Sequence, residues 1–133
     1  MRLWHQRLIP LLPDSKTSKD PKLNQLGGQH RECCAMRGGG WGKKHETVDY
    51  VWEHPKYFLE AYHLIVICEL LSRGYRIDPK WLHVEDEARR LWTESYTKGR
   101  IIYPEHNENY FIECALNLAG KDIFVLNKDS KNY

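Results

Sequence analysis

Two short stretches of this chain carry residue types that can do chemistry together. Residues 26–34 read Leu-Gly-Gly-Gln-His-Arg-Glu-Cys-Cys, and the chain opens Met-Arg-Leu-Trp. The α-amine of Met1 is a primary amine and so a nucleophile. Glu32 is a carboxylate suited to holding a cationic intermediate and moving protons, and Arg31 beside it is suited to a phosphate contact. Adjacent helical residues point about 100° apart, so Arg31 and Glu32 face different surroundings. Taken alone, the pair also fits a solvated helix surface.

The elements that must position these residues are helical. Leu23, Leu26, His30 and Cys33 fall on one face, which predicts a first helix from Lys22 to Met36, ended by Gly38-Gly39-Gly40. Gly27 and Gly28 cost that helix about 1 kcal/mol each relative to Ala, and close packing against another segment is their plain use. Glu46 to Trp52 is expected to form a short helix. A second helix should run from Pro55 to Arg73, with Tyr57, Ala61, Leu64, Cys68 and Leu71 inward and Arg73-Gly74 as its stop signal. A helix over His83 to Glu94 should turn Val84, Ala88, Leu91 and Trp92 inward. A third main helix should run from Glu105 to Ala119 with Phe111, Cys114, Ala115 and Leu118 inward. Residues 1–12 are apolar and extended in character, residues 13–22 form a polar loop, and residues 124–133 form a tail. The expected architecture is all-α: one compact domain, residues 1–133, of three main helices plus short ones.

A chain of 133 residues has enough length for one domain with its own core. The longest apolar run, Leu64 to Cys68, is far short of the roughly 18 residues of a membrane span. Pro10 and Pro13 interrupt the apolar start, which argues against a cleavable leader and for an intracellular, cytoplasmic protein. Net charge is +2 but uneven: residues 1–50 hold nine Lys/Arg against five Asp/Glu, and residues 51–133 hold eleven against thirteen. The basic first half points modestly to an anionic partner. Cys33, Cys34, Cys68 and Cys114 lack any CxxC spacing and read as reduced thiols in helices. His30 and Cys34, four residues apart, can share a metal ion, and a metal-dependent hydrolase on His30, Cys33, Cys34 and His45 is one alternative, with an irregular ligand set.

The order of motifs adds a resemblance. Met-Arg-Leu-Trp, then Leu-Gly-Gly-Gln-His-Arg-Glu-Cys, then Leu-Leu-Ser-Arg-Gly-Tyr-Arg-Ile, then Tyr-Pro-Glu-His, is similar to the pyrimidine-dimer DNA glycosylase family from residue 1 to about residue 123. The resemblance implies three main helices with the N-terminal segment packed between them. It implies Met1 and Glu32 as the catalytic pair, with Arg31 and Arg2 at DNA. Arg37, Lys43 and Lys44 are further candidates for phosphate contacts. Trp41 is a candidate for stacking on or wedging into DNA, and equally for anchoring the glycine loop. His30 is expected at the DNA-facing site, where packing at the helix interface or orienting Glu32 suits it better than acting as base.

The implied chemistry is attack of the neutral amine on C1′ of a damaged nucleotide, loss of the base, formation of a protonated imine, and β-elimination on the 3′ side. Such a reaction on duplex DNA requires no metal or organic cofactor, no membrane and only a monomer. The other alternative is a nucleic-acid-binding module without catalysis, which would tolerate loss of Glu32 and a blocked N-terminus.

Overall fold

The computed structural model describes residues 2–17, 20, 23–38 and 46–125, with side chains in the last stretch from residue 49. Among these the protein is all-α, with no strand. Its α-helices are α1 (Gln25–Arg37), α2 (Lys56–Ser72), α3 (Asp86–Lys98) and α4 (Glu108–Ala119), joined by 3-10 helices at Gln6–Leu11, Glu46–Glu53 and Pro79–Leu82. No helix among the described residues is long and apolar enough to cross a membrane.

α2 is the central element. It packs against α1 on one side and α3 on another, and also touches both the Gln6–Leu11 and Glu46–Glu53 segments. Its buried positions are Leu59, Ala61 to Leu64, Val66, Ile67 and Leu70, which wrap most of its circumference. The single stripe expected of it therefore does not hold at its end: Leu71 is 46 % exposed. A helix surrounded by neighbours has no solvated face to impose a clean period.

The helix boundaries follow the caps. α1 begins at Gln25 rather than Lys22 because the side chain of Asn24 accepts from Gly27 N at 3.1 Å. This cap explains Gly27, since a Cβ there would lie 2.6 Å from Nδ2 of Asn24. The helix expected at His83 to Glu94 is displaced to α3, with Asp86 and Glu87 in its first turn and Gly99, at φ +69°, as its left-handed stop. α4 starts at Glu108, where Asn107 Oδ1 accepts from Tyr110 N at 2.9 Å. Its inward set, Phe111, Cys114, Ala115 and Leu118, is the expected one.

The N-terminal segment lies between helices, but only its first residues are extended. Residues 6–11 form a 3-10 helix, with Leu8 and Ile9 fully buried. Gln6 ties this turn to the approach to α4: its Nε2 donates to Arg100 O at 2.9 Å and its Oε1 accepts from Ile102 N at 2.8 Å. The far end is locked by Arg73, which donates to Pro10 O, Leu12 O and Asp14 Oδ2. Asp14 is 1 % exposed, and Arg73, Tyr75 and backbone donors hold its carboxyl well below the usual range despite the cost of burial. The expected polar loop thus opens on a buried anchor. The four cysteines are free and helical, with Cys33 and Cys114 buried and Cys34 and Cys68 half-buried.

Candidate active site

α1 presents different chemistry on different faces. Its buried face is Leu26, Gln29, Cys33 and Met36. The expected face of Leu23, Leu26, His30 and Cys33 is rotated, because Gln29, not His30, occupies the core. Gln29 is 2 % exposed and clamps the N-terminal segment. Its Nε2 donates to Arg2 O at 2.9 Å, and its Oε1 accepts from Trp4 N at 2.6 Å. Tyr62, fully buried on α2, places its hydroxyl 2.6 Å from Trp4 O and 2.8 Å from Gln29 Oε1. Tyr110 on α4 donates to Leu3 O at 2.5 Å. Each described residue from Arg2 to Trp4 is therefore held through its backbone by a side chain of α1, α2 or α4, which satisfies polar groups that burial would otherwise leave unpaired.

Beside this clamp is a cavity of about 330 Å³ lined by Arg2, Trp4, Gln25, Gly28, Gln29, Glu32, Asn117 and Lys121. Glu32 is half-buried there and makes no hydrogen bond or ion pair among the described residues. Gly28, without a side chain, leaves the wall open. Arg2, the residue that follows Met1 in sequence, shares this lining with Glu32. The Arg2 guanidinium is 19 % exposed, pairs with Glu113 at 3.2 Å and lies over the rings of Trp4 and Tyr110. Lys121, which follows α4, brings a side-chain amine to the same cavity. Neither it nor Asn117 was singled out in the sequence, where only the polar end of α4 signals them.

Arg31 is exposed with no ion pair among the described residues, as a phosphate contact requires. His30 turns away from Glu32 into the α1–α2 interface, where its Nδ1 is 2.8 Å from Nε2 of His63. Burial lowers the pKa of both imidazoles, that of His63 to about 2 with help from Arg37 and His30. Arg37 does not suit the phosphate contact expected of it. Its side chain is 6 % exposed, beside Glu60, and donates to Trp81 O, His83 O and Nδ1 of His63. Met1, Trp41, Lys43, Lys44 and His45 lie outside the described residues.

A larger cleft of about 730 Å³ opens elsewhere, near Ile65, Cys68, Trp92 and Tyr96. It is mainly apolar, and its carboxylate, Glu69, is already paired with Arg73 at 2.8 Å. Volume alone therefore does not locate the chemistry.

The N-terminal segment and the Glu32 carboxylate thus line one cavity of a helical protein, with an exposed arginine beside it on α1. The chain matches the family described as pyrimidine dimer DNA glycosylase over residues 1–83, more than half its length, and belongs to that family. It is accordingly a DNA repair glycosylase whose substrate is DNA. No curated protein and no solved structure matches it.

Proposed function

We propose that this glycosylase is also an AP lyase, acting on ultraviolet pyrimidine dimers through the α-amine of Met1. The observation that carries the reading is the Gln29 clamp, which fixes Arg2 and Trp4 beside Glu32 in one cavity. An α-amine has a reference pKa near 8, so on the order of a tenth is neutral at pH 7. The neutral amine attacks C1′ of the damaged nucleotide. The C1′–N bond to the base breaks, and the base leaves with the bonding pair and takes up a proton from the amine. The lone pair of the resulting secondary amine then breaks the C1′–O4′ bond, O4′ takes a proton from solvent, and the opened sugar holds a protonated imine at C1′. Glu32 as carboxylate stabilises that cation and assists removal of a 2′ proton. The electrons of that C–H bond form the new double bond and expel the 3′ phosphate, cutting the strand. Neither step calls on a metal or organic cofactor, and one copy of the chain lines the cavity.

Arg31, Lys43 and Lys44 contact phosphates in this reading, and Trp41 stacks on or wedges into the distorted duplex. Arg2 reaches a phosphate only by exchanging Glu113 for it, and otherwise shapes the cavity rim. Extrusion of the lesion costs less where the duplex is already distorted, which favours a dimer over undamaged DNA.

The test is a block at the N-terminus. Acetylated protein, or protein with an uncleaved N-terminal tag, should lose nicking of dimer-containing and abasic duplexes while still binding them. Nicking that survives the block overturns the Met1 assignment. Nicking of abasic but not dimer duplexes by the unblocked protein overturns the lesion. No nicking by protein with a free Met1 amine leaves a non-catalytic binding module.

A further inference from the structure

The face of α1 turned away from the cavity holds a second cluster that the glycosylase chemistry does not use. His30 and Cys34, one helical turn apart, project to the same side of α1. His63, 0 % exposed, meets them from α2. Nε2 of His63 is 2.8 Å from Nδ1 of His30 and 3.9 Å from Sγ of Cys34, and that sulfur is 3.8 Å from Nδ1 of His30. One nitrogen or sulfur from each residue thus falls within 4.8 Å of the other two. Tetrahedral zinc with bonds of about 2.0 Å to nitrogen and 2.3 Å to sulfur needs about 3.3 Å between nitrogens and about 3.6 Å between nitrogen and sulfur. The triangle already present differs from that by about half an ångström on its shortest edge, a shift that small rotations of two imidazoles supply.

We propose that His30 Nδ1, Cys34 Sγ and His63 Nε2 bind one divalent cation of the zinc class, clamping α1 to α2 behind the face that carries Glu32. The donor set, two imidazoles and one thiol, suits a borderline-soft ion and disfavours magnesium or calcium, which take oxygen. His30 and Cys34 are half-buried, so the fourth position opens toward solvent and takes water. Cys33 does not join, because it points into the core on another face of α1.

Without metal, Arg37 Nη1 donates to Nδ1 of His63 at 2.9 Å, so His63 carries its hydrogen on Nε2 and donates to Nδ1 of His30. On binding, that hydrogen moves to Nδ1 of His63, and the Cys34 thiol gives one proton to solvent. Arg37 releases the imidazole and keeps Trp81 O, 2.9 Å away, and Glu60. This clamp is structural and independent of the amine chemistry proposed above.

The test uses the full chain without a polyhistidine tag, stripped with a chelator, held under a thiol-free reductant and titrated with Co²⁺. One Co²⁺ per chain should give the absorption of a tetrahedral site with a sulfur-to-cobalt charge-transfer band. Zn²⁺ should then displace it and raise the thermal midpoint. Cys34→Ser, at a half-buried position, should lose the charge-transfer band and bind at least tenfold more weakly, whereas Cys68→Ser should change neither. A folded wild-type chain without the tetrahedral spectrum overturns the site, as does a charge-transfer band that persists in Cys34→Ser. Circular dichroism of both variants confirms that they are folded.

Discussion

Three consecutive residues of α1 meet three environments. Glu32 faces a polar cavity and makes no bond there among the described residues, while Arg31 is exposed without an ion pair. His30, with Cys34 and Arg37 further along, faces α2, where the polar groups of His30 and Arg37 are bonded. Among the described residues, Glu32 and Arg31 keep their valences open, and the side of α1 that faces α2 closes them. An open carboxylate beside a cavity is chemically available but adds little to stability. A closed network fixes the helix but has nothing left to offer a substrate. Changes on the first face should therefore cost activity without stability, and changes on the second should do the reverse.

The largest expected effect is at Glu32. Glu32→Gln should lower strand cleavage by about 100-fold or more, the usual scale of a lost proton-transfer group, with circular dichroism and DNA binding unchanged. A matching fall in thermal midpoint would show that the open face is structural after all.

On the closed face, Arg37→Met should destabilise the fold by about 3 kcal/mol, because Glu60, 12 % exposed, loses its countercharge and two carbonyls lose a donor. Urea unfolding measures this, and cleavage per folded molecule should stay within a few-fold of wild type. A selective loss of DNA affinity at unchanged stability would restore Arg37 to the DNA contacts. Gln29→Leu sits on the boundary between the faces. It strips partners from Arg2 O and Trp4 N, each costing about 1–3 kcal/mol, and should lower both unfolding free energy and cleavage.

The histidine behind the N-terminal segment gives a pH signature of about 1.4 kcal/mol per unit. His106 is 3 % exposed and accepts from Gln6 N at Nδ1, while its Nε2 is 2.7 Å from the Tyr50 hydroxyl. Burial, with His5 adding, lowers its pKa from 6.5 to about 3. Between those values the unfolded chain binds the extra proton, so this residue's contribution is complete above about pH 6.5 and is lost as pH falls toward 3. Urea unfolding at pH 7 and pH 5 should differ more for wild type than for His106→Gln. Equal differences would mean that His106 is charged in the folded state. The smallest effect belongs to Arg31→Ala, which should leave stability unchanged and reduce the salt slope of DNA binding by about one.

Much of this arrangement was legible in the sequence, and the gaps have physical causes. The inward set of α4 and the glycine stop of α2 could be read directly, because each depends on local periodicity or a single backbone preference. Gly74 at φ +89° is the residue that the Arg73-Gly74 signal requires. The buried face of α1 was misread because a glutamine sits in the core, where its partners are backbone groups of residues 2 and 4 that local pattern cannot reveal. Arg37 looked like a surface cation because Glu60, Trp81 and His83 are far away in sequence. Glu32 and Arg31 are candidates by type and order alone, whereas Lys121 and Asn117 reach the cavity that Glu32 lines only through the packing of α4 against the N-terminal segment. His63 was overlooked because a helix buried almost all round does not mark which polar residue has a partner.

The most direct measurement is to map the covalent adduct. Protein with a native N-terminus, its first residue verified by mass spectrometry, is mixed with abasic duplex, reduced with borohydride and digested. If the α-amine of Met1 is the nucleophile, the reduced sugar fragment is carried on the peptide beginning at Met1. A fragment found instead on the peptide containing Lys121, whose amine lines the Glu32 cavity, would contradict it.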